Sequence, residues 1–354
     1  MDAVNKNGLT SISTLVIDWY SREKRDLPWR GTQDPYKIWL SEIILQQTRV
    51  AQGLPYYLAF LENFPTVYAL ANASEKAVLR AWQGLGYYSR ARNLHKTAKI
   101  VAFERQGKFP DNSKDLLLLP GVGSYTAAAI ASIAFEEDVP VLDGNVFRVL
   151  ARLFGLDHDI SQQTNKKYFL EKLHKMLPQK QASAFNQGMM ELGALICTPK
   201  NPSCPSCPIS VYCYALSTKE QLSFPVKSNK IKIKQRLFHY LVFEFDGRFA
   251  LSQRKTSDIW QGLYEFLLFE GEGFDWRSQV DETEVAGYSV SQEFRHVLTH
   301  QRINARFYHF QLRSEESLVL LSKKYGLTEY SMKQIVTLPK SKLILKYLEA
   351  SDFL

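Results

Sequence analysis

Two carboxylates stand where they could share acid and anion chemistry. Glu42 lies in Pro35 to Val50, a stretch with apolar residues at helical spacing and no glycine. Its neighbours at i−4, i−3 and i+3 are Ile38, Trp39 and Leu45, so it shares an apolar face. A carboxyl so placed has a raised pKa and can hold a proton near neutrality. Asp143 lies in Val141-Leu142-Asp143-Gly144-Asn145, just before a helix expected to begin near Val146. An aspartate there is an ordinary helix cap. The helix end would also keep it ionised, so capping and chemistry are compatible. A protonated carboxyl beside an ionised one is the pair that hydrolyses glycosidic bonds.

The second cluster is of thiols. All four cysteines fall in one stretch, Cys197-x6-Cys204-x2-Cys207-x5-Cys213, with prolines at 199, 202, 205 and 208. Such spacing describes a loop wrapped around one metal centre. Four thiolates bind zinc well, but structural zinc usually uses two Cys-x2-Cys knuckles and here there is one. A [4Fe-4S] cluster also takes four cysteines and tolerates uneven spacing. The chemistry leaves both open.

A third feature is Leu119-Pro120-Gly121-Val122-Gly123, which joins a short helix to the Ala-rich helix after Ser124. Gly121 and Gly123 permit a sharp turn that exposes backbone N–H groups beside a helix N-terminus, which suits a phosphate. By itself the run also fits an ordinary helix–helix turn.

These residues need elements to hold them. Ser74-Glu75-Lys76-Ala77 starts a helix, and Ala91 to Gln106 and Tyr125 to Phe135 form two more. Turns at Gly84 to Gly86, Gly107 to Pro110, Pro120 to Gly123 and Pro140 to Gly144 separate them. Residues 1–217 therefore form an all-α catalytic domain. Residues 218–235 form a basic linker, and 236–354 an α+β domain. In the latter, Leu237 to Phe245 and Arg248 to Ser252 flank the turn pair Asp246-Gly247 as a hairpin. Ile303 to Gln311 is a strand and Lys340 to Leu348 a closing helix.

Composition sets the bounds. The 354 residues are 45% hydrophobic and 23% charged, which excludes a mainly disordered chain. No run is long and apolar enough to span a membrane. Met1 to Thr10 is polar and unlike a signal peptide, so the expected compartment is cytoplasmic. Net charge is +8: +5 over residues 1–217, +5 over 218–236 and −2 over 237–354. A basic first domain and linker point to a polyanion partner.

The chain resembles the helix-hairpin-helix DNA glycosylases in these motifs. The cysteine spacing is similar to the loop of the endonuclease III and MutY branches, which carries one [4Fe-4S] cluster, and the resemblance extends that cofactor to this chain. L-P-G-V-G-S-Y-T-A resembles the family's hairpin, with Gly121, Gly123 and Ser124 at the phosphate. V-L-D-G-N-V resembles the segment bearing the catalytic aspartate, here Asp143. Branches that cleave the strand use a lysine where this chain has Tyr125, and tyrosine forms no Schiff base, so a monofunctional glycosylase is implied.

Leu40-Ser-Glu-Ile-Ile-Leu-Gln-Gln-Thr-Arg49 and Trp82-Gln-Gly-Leu-Gly-Tyr-Tyr-Ser89 are similar to the adenine-removing MutY branch. The resemblance implies that Glu42 protonates adenine N7 and Asp143 stabilises or traps the sugar cation, with Tyr125 and Asn145 in support. It places Gln47, Thr48, Leu85, Gly86 and Tyr87 in the duplex, opposite a base flipped out of the stack. It places Lys200 on phosphate, and Arg25, Trp29, Arg30, Leu45 and Gln187 around adenine. Residues 236–354 resemble the branch's Nudix-like, MutT-like domain, with the best local match at Ile259 to Phe266. The catalytic Nudix helix is absent, so the fold is expected to recognise 8-oxoguanine rather than hydrolyse nucleotides. The family's Phe-Ser-His turn is replaced by Leu298-Thr299-His300, which keeps an apolar group and a hydroxyl. The implied partner is duplex DNA with adenine opposite 8-oxoguanine or guanine, bound by a monomer near the nucleoid if the chain is bacterial. The rival readings are a glycosylase for another base, such as mismatched thymine, and a DNA-damage-binding protein without turnover.

Overall fold

The computed structural model describes residues 6–228, 232–351 and 353. Met1 to Asn5 and Asn229 to Ile231 of the linker, on which sequence expectations also fall, lie outside the described residues. The chain packs as two units, one of residues 1–71 and 96–229 and the other of 72–95 and 230–354. This division differs from the sequence boundaries in two respects: the linker expected over 218–235 is split between the units at 229/230, and a helical segment changes sides. Residues 72–95 continue the helical sequence but pack with the later unit.

The described residues of the first unit are helices and turns, without a strand. Asp34 caps Pro35–Leu45 by accepting from the Tyr36 N–H at 2.9 Å, and Pro35 opens the helix. The helix expected over Pro35 to Val50 instead ends at Leu45. Gln47 takes a left-handed φ of 55°, which breaks the chain before Val50–Asn63 begins. The helix Ser124–Ala134 buries eight residues in a row and carries four alanines in its middle turns, so its neighbours approach closely. The first unit's core includes Ile12, Val16, Val149, Leu150, Phe169, Phe185 and Met189, from Lys6–Glu23, Gly144–Phe154, Lys166–Met176 and Ala182–Leu195.

The second unit holds a mixed sheet. Its strands are β1 (Lys234–Phe245), β2 (Arg248–Gln253), β3 (Tyr264–Glu265), β4 (Leu267–Glu270), β5 (Val285–Val290), β6 (Phe294–Val297), β7 (Gln301–Leu312) and β8 (Thr328–Ser331). The main path runs β3-β2-β1-β7-β5, while β4 pairs β1, β6 pairs β7 and β8 pairs β2. β1 and β7 pair in parallel; the other pairs are antiparallel. The β1–β2 hairpin turns through Asp246 and Gly247, both left-handed, as their sequence predicts. Sequence reading missed the helix Glu315–Tyr325, capped by Ser314. The closing helix runs over Lys342–Ala350, two residues later than expected.

Candidate active site and cysteine loop

Glu42 projects from a helix buried along most of its length and is itself only 8% exposed. Burial pushes its pKa up to about 7; the Tyr125 hydroxyl opposes the rise by hydrogen bonding, and the Asp143 charge adds to it. Tyr125 is the second residue of Ser124–Ala134, and its hydroxyl also approaches the Met190 sulfur at 3.6 Å. Gln46 Nε2 donates to Thr126 Oγ1 at 3.1 Å, which ties the end of the Glu42 helix to the start of the Tyr125 helix.

Asp143 caps Gly144–Phe154. One oxygen accepts from the Val146 N–H at 2.7 Å and the other from Asn145 Nδ2 at 2.8 Å. The helix end was expected to keep it ionised. Burial raises its pKa above the ordinary value, against the pull of these donors and of Arg148. The structure thus brings Glu42, Tyr125, Asp143 and Asn145 together as two buried carboxyls that resist carrying charge at once. Such a site holds a proton for a leaving group and favours a cation placed beside the second carboxyl.

Two residues missed by sequence reasoning position Asn145. Arg148 donates to Asn145 Oδ1 at 2.9 Å, to the Cys197 carbonyl at 2.7 Å and to the Gly193 carbonyl at 2.7 Å. A Cβ on Gly193 would sit 2.6 Å from Asn145 Cβ, so only glycine lets the helix Ala182–Leu195 approach so closely. One turn beyond Arg148, Arg152 donates to the Thr198 carbonyl at 2.7 Å and the Pro199 carbonyl at 2.9 Å, and lies 3.3 Å from Cys197 Sγ. The signal in the sequence was two arginines four apart on a helix otherwise rich in apolar residues.

Cys197, Cys204, Cys207 and Cys213 line one small pocket with Arg152 and Ile196. Burial raises the pKa of Cys207 to about 12, and Cys197, Cys213 and Cys204 add to the rise. Among the described residues no three His, Cys, Asp or Glu groups are arranged to hold a metal ion. What the structure shows of the expected metal-centred loop is four thiols around one shared pocket. Backbone N–H groups of Ile209 and Leu216 hydrogen-bond Cys207 and Cys213, as the donor set of a thiolate-bound cluster requires. Lys200 is exposed on the same loop.

The residues expected around a base divide into two groups. Arg25 and Arg30 both grip Glu191, each with a contact of 2.6 Å. Burial pushes Glu191 up, yet the two arginines prevail and hold it down at about 2. Their charges are thus engaged internally, which the sequence did not reveal. Tyr20 joins the same network, donating to Gln187 Oε1 at 2.9 Å and packing under Arg30. Trp29 instead stands edge-on to Tyr57, and Leu45 packs over Gly53.

The expected DNA-contacting residues also differ among themselves. Gln47 is exposed in the left-handed turn, with Thr48 half-buried beside it. Gly121 is left-handed, and Gly123 leads into the helix at Ser124 without a side-chain cap, leaving that N-terminus open to an anion. Leu85 is buried, the core packing that its glycine neighbours argued against. Tyr87 is exposed, left-handed, and flanked by left-handed Gly86. In the second unit Leu298, Thr299 and His300 form the tight turn between β6 and β7, closed by Leu298 N–H to Gln301 carbonyl at 2.8 Å. The Thr299 hydroxyl lies 2.5 Å from that of Tyr87. Gly86, Tyr87, Trp260, His296, Leu298 and Thr299 help line a cavity of about 460 Å³.

Two family models match the chain in succession. Residues 40–178 match the HhH-GPD superfamily of base excision DNA repair proteins, and 239–350 match the NUDIX domain. The chain is 37% identical over 259 residues to adenine DNA glycosylase of Buchnera aphidicola from Schizaphis graminum, covering 73% of this chain and 75% of that one. It is 41% identical over 222 residues to the human adenine DNA glycosylase, covering 60% of this chain and 41% of that one. Among solved structures, a thermostable thymine-DNA glycosylase is 29% identical with a TM-score of 0.55, covering 60% of this chain and 98% of that one. Endonuclease III in a non-covalent DNA complex shares the fold at 21% identity and a TM-score of 0.52, over 61% of this chain and 98% of its own.

Proposed function

The chain belongs to the adenine DNA glycosylase family of the HhH-GPD superfamily, and from that premise we propose that it hydrolyses the N-glycosidic bond of adenine paired with 8-oxoguanine or guanine in duplex DNA. The observation that carries the chemistry is the pairing of Glu42, titrating at about 7, with the buried cap Asp143. Glu42 delivers its proton to a ring nitrogen of the departing adenine. The deoxyribose gains oxocarbenium charge, and ionised Asp143 stabilises it, by contact or by a transient covalent bond that water then breaks. Tyr125 hydrogen-bonds the Glu42 carboxyl, and Asn145 orients Asp143. Tyr125 stands where strand-cleaving relatives need a lysine, so the product is an abasic site in an intact strand.

The remaining roles follow the same reading. Arg25, Trp29, Arg30, Leu45 and Gln187 enclose adenine, the two arginines acting through Glu191. Gln47, Thr48, Leu85, Gly86 and Tyr87 attend the opposite base, with Leu85 released from its buried position when DNA binds. Gly121, Gly123, Ser124 and Lys200 hold phosphates. Leu298, Thr299 and His300 check for 8-oxoguanine. The protein acts as a monomer in the compartment that holds the chromosome. No described helix is long and apolar enough to cross a membrane.

Cys197, Cys204, Cys207 and Cys213 fit a [4Fe-4S] cluster: four thiols share one pocket, with amide donors and Arg152 beside them. Structural zinc usually uses two Cys-x2-Cys knuckles and this loop has one, which favours the cluster over zinc. Bound there, the cluster supplies a structural cross-link for the loop bearing Lys200.

Single-turnover excision tests the reading on duplexes with adenine opposite 8-oxoguanine, guanine or thymine, and with thymine opposite guanine. Adenine loss opposite 8-oxoguanine, with strand breakage only after alkali, supports it. Thymine release without adenine loss would move the assignment towards the thymine-DNA glycosylase likeness. Tight binding without release of any base would make the protein a damage-binding one.

A further inference from the structure

The loop Gln83 to Tyr88 is unusual in its backbone. Gly84, Gly86 and Tyr87 have φ values of 103°, 76° and 49°, three left-handed residues in four. Such a loop keeps one shape only where its surroundings impose it, and the non-glycine Tyr87 costs about 1 kcal/mol or more to hold there. Part of the constraint is local: Trp82 Nε1 donates to the Gly86 carbonyl at 3.0 Å, and the Arg90 guanidinium lies over the Trp82 and Tyr87 rings.

The rest comes from a single peptide some 250 residues away in sequence. The Lys340 N–H donates to Gln83 Oε1 at 2.9 Å. The Lys340 carbonyl accepts from the Tyr88 hydroxyl at 3.3 Å, and that hydroxyl in turn accepts from the Gly84 N–H at 3.3 Å. One backbone unit thus grips the loop at both ends. Its own position is fixed by its side chain, which is 0% exposed. The Lys340 ammonium donates to the Ile335 carbonyl, and to the Leu338 carbonyl at 2.8 Å, at the end of the helix Met332–Thr337. Pro339 adds a carbonyl that accepts from the Tyr264 N–H at 2.9 Å.

We infer that Lys340 is a positioning residue that locks the loop Gln83 to Tyr88 against the β6–β7 turn, so that Tyr87 and Thr299 form one preassembled reader of the base opposite adenine. A lysine buried without an acidic partner is costly, and this one satisfies its ammonium with carbonyls at the end of a helix, where positive charge is favoured. Burial and Arg80 lower its pKa to about 8, which still leaves it charged at neutral pH. The Tyr87–Thr299 hydroxyl contact joins the loop directly to the β6–β7 turn. The reader role rests on the proposed function; the locking role does not.

The test uses the full chain and two substitutions. Lys340→Met removes the ammonium, and Gln83→Leu removes the acceptor of the Lys340 N–H while leaving the ammonium in place. Hydrogen–deuterium exchange of DNA-free protein is followed in a peptide covering 83–88 and in a control peptide within 124–134. Both variants are expected to exchange about tenfold faster over 83–88 and unchanged in the control. Their ratio of excision rates for adenine opposite 8-oxoguanine against guanine should fall about tenfold, with the guanine rate within about twofold of wild type. Wild-type exchange over 83–88 in both variants would overturn the lock. Faster exchange with an unchanged ratio would overturn the reader assignment. If wild type removes no adenine, the proposed function fails while the exchange result still decides the lock. If Lys340→Met does not fold, Gln83→Leu decides alone.

Discussion

Replacing Glu42 by glutamine should abolish excision and, above neutral pH, strengthen the fold. A carboxyl that titrates near 4.5 when unfolded and at about 7 when folded carries a difference worth about 3 kcal/mol. The folded pKa is the higher one, so the folded chain binds more protons between those values. The contribution is fully present below about 4.5 and is lost as pH rises through about 7. Glutamine has no such dependence. Between pH 5.5 and 8.5 the stability of Glu42→Gln relative to wild type should therefore rise by about 2 kcal/mol. For a unit of this size that is a relative shift of about 5 °C in Tm. The lost Tyr125 hydrogen bond shifts both pH values alike and largely cancels. Scanning calorimetry of the two proteins, with matched iron content and ionic strength, measures the difference. Excision by wild type at subsaturating DNA should fall about tenfold per pH unit well above 7. Parallel Tm profiles for the two proteins would refute the claim that burial holds the proton, and near-normal excision by the variant would refute the assignment of the acid.

Other expectations separate capping, charge and metal roles. Asp143→Asn keeps an oxygen for the Val146 N–H, so it should lose excision with little change in Tm, whereas Asp143→Ala should also lose about 1 kcal/mol of cap; equal Tm values for the two would deny the cap. Glu191→Ala strands Arg25 and Arg30 beside a buried hole and should cost about 3–5 kcal/mol in denaturant unfolding; a loss below about 1 kcal/mol would show the network to be dispensable. Iron and sulfide analysis should give about four of each per chain; stoichiometric zinc in a colourless protein would sink the cluster proposal. Tyr87→Phe and Thr299→Ala, combined in a double-mutant cycle on DNA-free protein, should show a coupling of about 1 kcal/mol; additive effects would mean that their hydrogen bond contributes nothing.

What the sequence made legible is what short range decides. The helix from Pro35, the Asp246-Gly247 hairpin and the cysteine spacing each lie within a few residues of their own signal. Glu42 was legible in part: its apolar neighbours at helical spacing point to a buried carboxyl but also fit a glutamate at the edge of the stripe, and packing decides for burial. Glu191 was not, because the arginines that fix its charge lie 161 and 166 residues away. Asp143 was half legible. The cap follows from its place before a helix, but the burial that raises its pKa comes from distant packing. Leu85 misled because two flanking glycines imply exposure, whereas the structure buries it. The grouping of residues 72–95 with the sheet had no local signal either, since its ties, such as Lys340 to Gln83, span 257 residues.

The helix Gly144–Phe154 shows why the cysteine loop and the carboxyls belong to one machine. Its first turn presents Asp143 and Asn145; its next two turns present Arg148 and Arg152. Arg148 Nη2 holds both Asn145 Oδ1 and the Gly193 carbonyl while its Nε holds the Cys197 carbonyl, so a shift of the loop at Cys197 pulls directly on a side chain that donates to Asp143. Gly193 removes the slack, because the approaching backbone leaves no room for Asn145 to take another place. Arg152 binds the loop at Thr198 and Pro199 but makes no described bond to Asn145 or Asp143. The two arginines therefore divide the work by position on the helix: Arg152 shapes the loop, and Arg148 passes its position to the carboxylate. A loop distorted by loss of the proposed cluster should then lower excision through Asp143 while the Glu42 proton, held by burial, stays in place.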